Sequence, residues 1–330
     1  MNRRRTLIRI AVAIFVALAL AFFVVTVIDA WHATNGELPS IPRLLGAAAL
    51  WACGLLAGAF AWATLLGGDR RVDHGAALLV SQLAKYVPGG VWQVTGQVGL
   101  AKAAGVPVKR GAASFSVLAV TQAVAGCTYG LVLGAAWTDA APITRILLGA
   151  GAIATLPLID RRWMVWALSK IPRTRDTSAE LVPPQKAIVI TYLACLVTLA
   201  ATCCAYVVLL GSFGPVSQPF LVIGAYAIAW TVGFVAIPIP SGVGIREAVL
   251  AAILHGKYDT SVIVAASVYY RLVSVATEGA LAAIASHRLR PSRLAAAKAS
   301  GDEEAPLSEE ASLSEEASPA RPAPRRPEAG

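Results

Sequence analysis

In an apolar chain, the side chains most able to do chemistry are the few charges set inside hydrophobic runs. Three groups stand out here. Arg246 and Glu247 follow the break Pro238-Ile-Pro240-Ser241-Gly242-Val-Gly244-Ile. Lys85 precedes a second break, Pro88-Gly89-Gly90-Val-Trp92. Tyr270, Arg271, Ser274 and Glu278 are the strongly polar cluster of the last apolar run, 261–286. The chemistry these types suit is anion binding. A helix that starts at a break presents unpaired N–H groups and a positive dipole end. Ser241 can cap such a helix, Gly242 and Gly244 let a phosphate approach the backbone, and Arg246 offers a planar guanidinium fork. Each residue also has a plainer reading. Arg246–Glu247 can be an ion pair closing the break, and Lys85 can snorkel to an interface. Arg271, Ser274 and Glu278 are spaced i, i+3, i+7, so they share one helical face that should point into the bundle. Glu278 then either carries a proton or neutralises Arg271 or Arg288. Trp92, Gln93 and Gln97 are placed to line a path beside Lys85.

Catalytic and metal chemistry find little support. The five cysteines lie in apolar segments without paired C-x-x-C spacing, and the four histidines are scattered. No metal site, cofactor or catalytic residue is expected. An enzyme using a polyprenyl-phosphate sugar would want acidic residues at its acceptor, often as D-x-D. Asp29, Glu37, Asp69 and Asp73 do not have that spacing.

Composition sets the solvent. Of 330 residues, 57% are hydrophobic and 14% charged, and the mean hydropathy is +0.65. Soluble domains are nearer a quarter charged, so the fold class is an all-α polytopic membrane bundle. The net charge is +9, and residues 301–330 hold eight acidic residues against three arginines. The basic surplus of residues 1–300 flanks apolar segments, where it orients spans and meets anionic lipid rather than nucleic acid.

The elements that must position the charged groups follow from length. A span needs about 20 apolar residues. Six full spans are expected near 7–28, 43–66, 111–136, 143–159, 187–210 and 261–286, the first retained behind Arg3-Arg4-Arg5. Trp51 and Trp62 are placed near the two interfaces of the second span. Residues 76–100 and 220–255 are too interrupted to cross, so each is expected to form a re-entrant broken-helix hairpin. Positive-inside parity has the first entering from the cytoplasm and the second from outside, with both termini cytoplasmic. Residues 161–171, with Trp163, Trp166 and Lys170, are either an interfacial helix on anionic lipid or an ordinary basic loop. The membrane domain ends at about 290. Residues 291–330, with the repeat Leu307–Ser312 and Leu313–Ser318, are expected to be a disordered cytoplasmic tail.

The two halves read alike: span, broken hairpin, span. Val87-Pro88-Gly89-Gly90-Val91 matches Ile239-Pro240-Ser241-Gly242-Val243 locally. Interrupted segments entering from opposite faces point to an inverted repeat with its site near the midplane.

The motifs Lys85-Tyr86-Val-Pro-Gly89-Gly90-Val-Trp92 with Gln97, Pro240-Ser-Gly-Val-Gly-Ile-Arg-Glu247, and Arg271 in the last span resemble the lysylphosphatidylglycerol synthase transmembrane region family. The resemblance covers about residues 5–290. It implies a bundle in the cell (cytoplasmic) membrane that moves a lipid or handles a lipid-linked glycan, and it adds Tyr86, Gly89 and Gly90 to the substrate-binding set. No soluble aminoacyl-transferase domain follows, so lysyl transfer is not expected. The leading function is a flippase for an anionic phospholipid or polyprenyl-phosphate intermediate. The alternatives are a non-transporting partner of a membrane glycosyltransferase or envelope complex, and a polyprenyl-phosphate-sugar enzyme.

Overall fold

A long apolar segment in hydrocarbon must satisfy its backbone internally, and the helix is the single-segment way to do so. A computed structural model of the chain describes residues 28, 38–86, 92–137, 142–171, 177–235 and 244–304, and every regular element among them is helical. In chain order these are α1 (Ile41–Leu66), α2 (Arg71–Ser81) continuing as a 3-10 turn (Gln82–Tyr86), α3 (Trp92–Ala103), α4 (Val108–Trp137) and α5 (Pro142–Thr155) with a 3-10 turn (Leu156–Ile159). They continue with α6 (Arg161–Ser169), the single turn α7 (Ser178–Leu181), α8 (Gln185–Leu210), α9 (Pro219–Val235), α10 (Ile245–Leu254) and α11 (Thr260–Glu304). Five of these segments, 41–66, 108–133, 142–159, 185–210 and 260–289, are long and apolar enough to cross a membrane. They coincide with five of the six expected spans; the expected span at 7–28 lies outside the described residues apart from Ile28.

The antiparallel pair α1–α8 is the centre of the bundle. Thr198 Oγ1 donates to Gly54 O (3.0 Å) and Thr191 Oγ1 to Ala61 O (3.4 Å), so threonines link two apolar helices across their closest approach. Large apolar side chains at Ile41, Leu45, Leu56 and Phe60 of α1 and at Leu193 and Val197 of α8 face outward at helical spacing. Trp51 and Trp62 face the bundle rather than lipid: both are buried, and Trp51 meets Tyr270 edge-to-face at 5.4 Å.

The remaining elements are arranged by where they start and finish. Arg110 Nη2 at the start of α4 donates to Leu66 O at the end of α1 (2.9 Å). The α2–α3 hairpin between them therefore leaves and returns at one end of the bundle. Gln218 N at the base of α9 donates to Tyr258 Oη (3.3 Å), just after α10 ends. The α9–α10 pair therefore leaves and returns at the opposite end. Packing obeys a matching rule in the two halves: α2 lies on α11 as α9 lies on α4, and α3 on α4 as α10 on α11. The same 17 residues separate Val91 from the start of α4 and Val243 from the start of α11.

The hairpins are held differently. On α4, Gly126 and Gly130 let α9 approach so closely that a Cβ would come 1.9 Å from Thr231 Oγ1 and 2.4 Å from Ile228 Cγ1. The 3-10 turn 82–86 has no buried residue and is fastened by polar bonds described below. At the far end of the chain, α11 runs on to Glu304. Residue 290 is thus not a helix end: the charges at His287–Arg293 end the apolar run, but the following Leu-Ala-Ala-Ala-Lys sequence favours helix. Residues 305–330, including the repeat, lie outside the described residues.

Replacing Gly126 by Val should lower stability by about 1–3 kcal/mol through overpacking against α9. At Gly149 of α5 an added Cβ meets nothing within 4 Å, so Gly149→Ala should be neutral or mildly stabilising. Thermal unfolding of the purified variants checks this, and equal responses would contradict the close approach of α4 and α9.

Candidate functional site

Charged groups taken out of water must be paired, and here the pairing is done by one face of α11. Glu278, fully buried, accepts from Lys85 Nζ at 2.6 Å through Oε1 and from Tyr86 Oη at 2.9 Å through Oε2. Two turns away toward the start of α11, Arg271 donates through Nε (3.0 Å) and Nη2 (2.7 Å) to Glu247 Oε1. The other Glu247 oxygen, Oε2, accepts the backbone N–H of Gly244 (2.8 Å), the carboxylate half of a capping box at the start of α10. Gly244 has φ 82°, a left-handed conformation that suits glycine. Hairpins from opposite ends of the bundle are thus tied to residues seven apart on α11, about 10 Å along the axis.

These contacts settle alternatives that the sequence left open. Glu247 pairs with Arg271 rather than its neighbour Arg246. Glu278 pairs with Lys85 rather than Arg271 or Arg288, and Lys85 is inside the bundle rather than snorkelling. The α10 N-terminus does not offer all its donors to a ligand, because Glu247 occupies Gly244 N. Ser274 is buried and returns its hydroxyl to Arg271 O (2.8 Å). Gln97 is buried in α3, with no partner for its Nε2 among the described residues, and Trp92 is half-exposed at the start of α3. Gly89, Gly90, Ser241 and Gly242 lie outside the described residues.

Arg246 is the exception to the pairing. Its Nε is buried without a hydrogen-bond partner among the described residues. Its guanidinium lies over the Trp230 ring, 5.9 Å from the centroid. Gly233 makes this possible: a Cβ there would come 2.9 Å from Arg246 Cγ and Nε. Lys85 feels the positive charge of both Arg246 and Arg271. The cluster therefore holds three cations and two carboxylates, and each carboxylate oxygen already accepts from a described donor. The tip segments 87–91 and 236–243 contain no acidic residue.

An aromatic wall that the sequence reading missed backs these charges. Tyr226 stacks on Tyr206 (4.6 Å) and meets Tyr270 (5.2 Å), and Lys85 Nζ sits 5.7 Å from the Trp51 ring. The signal was present as aromatics at 226 and 230 in α9, spaced i, i+4 on one helical face. Among the described residues no group of His, Cys, Asp and Glu could hold a metal ion. Chemically the arrangement can hold an anion beside an arginine that lacks a carboxylate.

Comparison with known proteins supports that frame at the family level. A family model described as "Lysylphosphatidylglycerol synthase TM region" matches residues 7–282. No curated protein and no solved structure matches.

Lys85→Met should cost about 3–5 kcal/mol, because it strips the buried Glu278 of its counter-charge, and Glu278→Leu less, because the Lys85 side chain keeps partial access to solvent. The double variant should recover most of that loss. A double-mutant cycle on unfolding free energies reads the difference; additive losses would show the two groups to be uncoupled.

Proposed function

This chain belongs to the lysylphosphatidylglycerol synthase TM region family, and from that premise we propose that it moves an anionic lipid across the cell membrane. The substrate class is an anionic phospholipid or a polyprenyl-phosphate-linked intermediate. The observation that supports this reading is the Arg246 guanidinium, set among buried groups with every nearby carboxylate oxygen engaged elsewhere. A phosphate is a planar-fork match for that group. A charged headgroup crosses hydrocarbon slowly because desolvation is costly, and a polar chamber reduces that cost.

The hairpins supply the route. α2 with its 3-10 turn spans residues 71–86 and α9 has 17 residues, each limb about 25–27 Å against a core of about 30 Å. In a bilayer they are re-entrant segments from opposite leaflets, meeting at the Arg271–Glu278 face. Arg70, Arg71, Lys102, Lys109, Arg110, Arg161, Arg162 and Lys170 gather where α1 and α5 finish, which favours that end as cytoplasmic. The headgroup passes from Lys85's side of the chamber to Arg246 while its acyl chains stay in lipid beside the bundle.

Arg246→Gln should lower transfer of a fluorescent anionic lipid in reconstituted vesicles at least tenfold while leaving the unfolding temperature in place. Arg43→Gln, at an exposed position near the start of α1, should transfer normally. Undiminished transfer by the Arg246 variant would remove the basis for this reading.

A further inference from the structure

α6 is not used by the central site, yet it is held more firmly than a loop helix needs to be. It begins one residue after the apolar segment 142–159 ends, with Asp160 Oδ1 accepting from Arg162 N (2.7 Å) as its cap. Gln185, the first residue of α8, clamps it from the other side. Its Oε1 accepts from Arg161 N (2.7 Å) and its Nε2 donates to Ile159 O (3.3 Å). The Arg161 guanidinium turns inward to the carbonyls of Pro183 (3.2 Å) and Ala179. Met164 is buried beneath the helix. α6 is therefore mounted between the ends of two spans, at the level where hydrocarbon gives way to headgroups.

Its outer side is the reverse of a water-facing loop. Trp163 and Trp166 are 52% and 54% exposed and touch edge-to-face at 5.6 Å. Lys170 Nζ lies 5.2 Å from the Trp166 centroid, and the Arg162 and Lys170 residues are exposed. With Arg161 engaged inward and Asp160 engaged at the cap, the outward charge of α6 is positive. Indole rings favour the headgroup boundary, and arginine and lysine beside them favour phosphate. We propose that α6 is a lipid-binding shelf for anionic phospholipid headgroups. The indoles enter the boundary of the leaflet, and Arg162 and Lys170 hold the phosphates of monoanionic diester lipids. This surface is separate from the Arg246 chamber and does not depend on transport.

The test uses the full-length protein in vesicles of phosphatidylcholine mixed with phosphatidylglycerol, one of the two carrying brominated acyl chains. The contribution of Trp163 and Trp166 is the difference in fluorescence between the native chain and Trp163→Phe/Trp166→Phe. Brominated phosphatidylglycerol should quench it more than brominated phosphatidylcholine, with a preference of roughly fivefold per cation at low salt. That preference should vanish in Arg162→Gln/Lys170→Gln and shrink in high salt, while Arg246→Gln leaves it unchanged. Equal quenching by both lipids, or no quenching, overturns the proposal; an unchanged preference in the double glutamine variant does so as well.

Discussion

A charge buried in an apolar bundle must find its counter-charge, and the placement of these pairs organises the protein. α11 supplies one residue of each sign on one face. Arg271 reaches the carboxylate of the second hairpin and Glu278 reaches the ammonium of the first. Two segments that come from opposite ends of the bundle are thereby tied to one face of α11, about 10 Å apart along its axis. Around them α1 and α8 form a stiff antiparallel pair joined through threonine hydroxyls and backbone carbonyls. The aromatic rings of Trp51, Tyr206, Tyr226 and Tyr270 exclude water from one side of the charges, which strengthens every electrostatic contact made there.

The equivalence of the two halves is architectural and not chemical. Helices correspond by position and packing, down to the equal 26-residue lengths of α1 and α8. Side chains do not. The first hairpin brings a cation to meet an acid, and the second brings an acid to meet a cation, with Arg246 in addition. The two hairpins thus present complementary charges, rather than duplicate ones, to one face of α11.

Much of this was legible in the residues. Five spans follow from uninterrupted apolar length, and the i, i+3, i+7 spacing of Arg271, Ser274 and Glu278 placed them on one inward face. The partners were not legible, because Lys85 and Glu278 are 193 residues apart and either carboxylate could have taken any nearby cation. That the Trp51 ring faces the bundle was not legible either, because position along a helix says nothing about which way a ring points. Gly126, Gly130 and Gly233 could not be singled out among 28 glycines, since what distinguishes them is the neighbour that a Cβ would strike.

The unlike fastening of the hairpins has a consequence for what each can sense. α9 lies against Gly126 and Gly130 through contact between uncharged surfaces, so neither voltage nor an arriving ion exerts much force on that seam. The 3-10 turn is tied down by an ammonium and a phenol on a single carboxylate. Its bond strengthens when the surroundings dry and slackens when they are wetted. Both hairpins meet α11 through ion pairs that respond to solvent, but the second has in addition an apolar seam on α4 that does not.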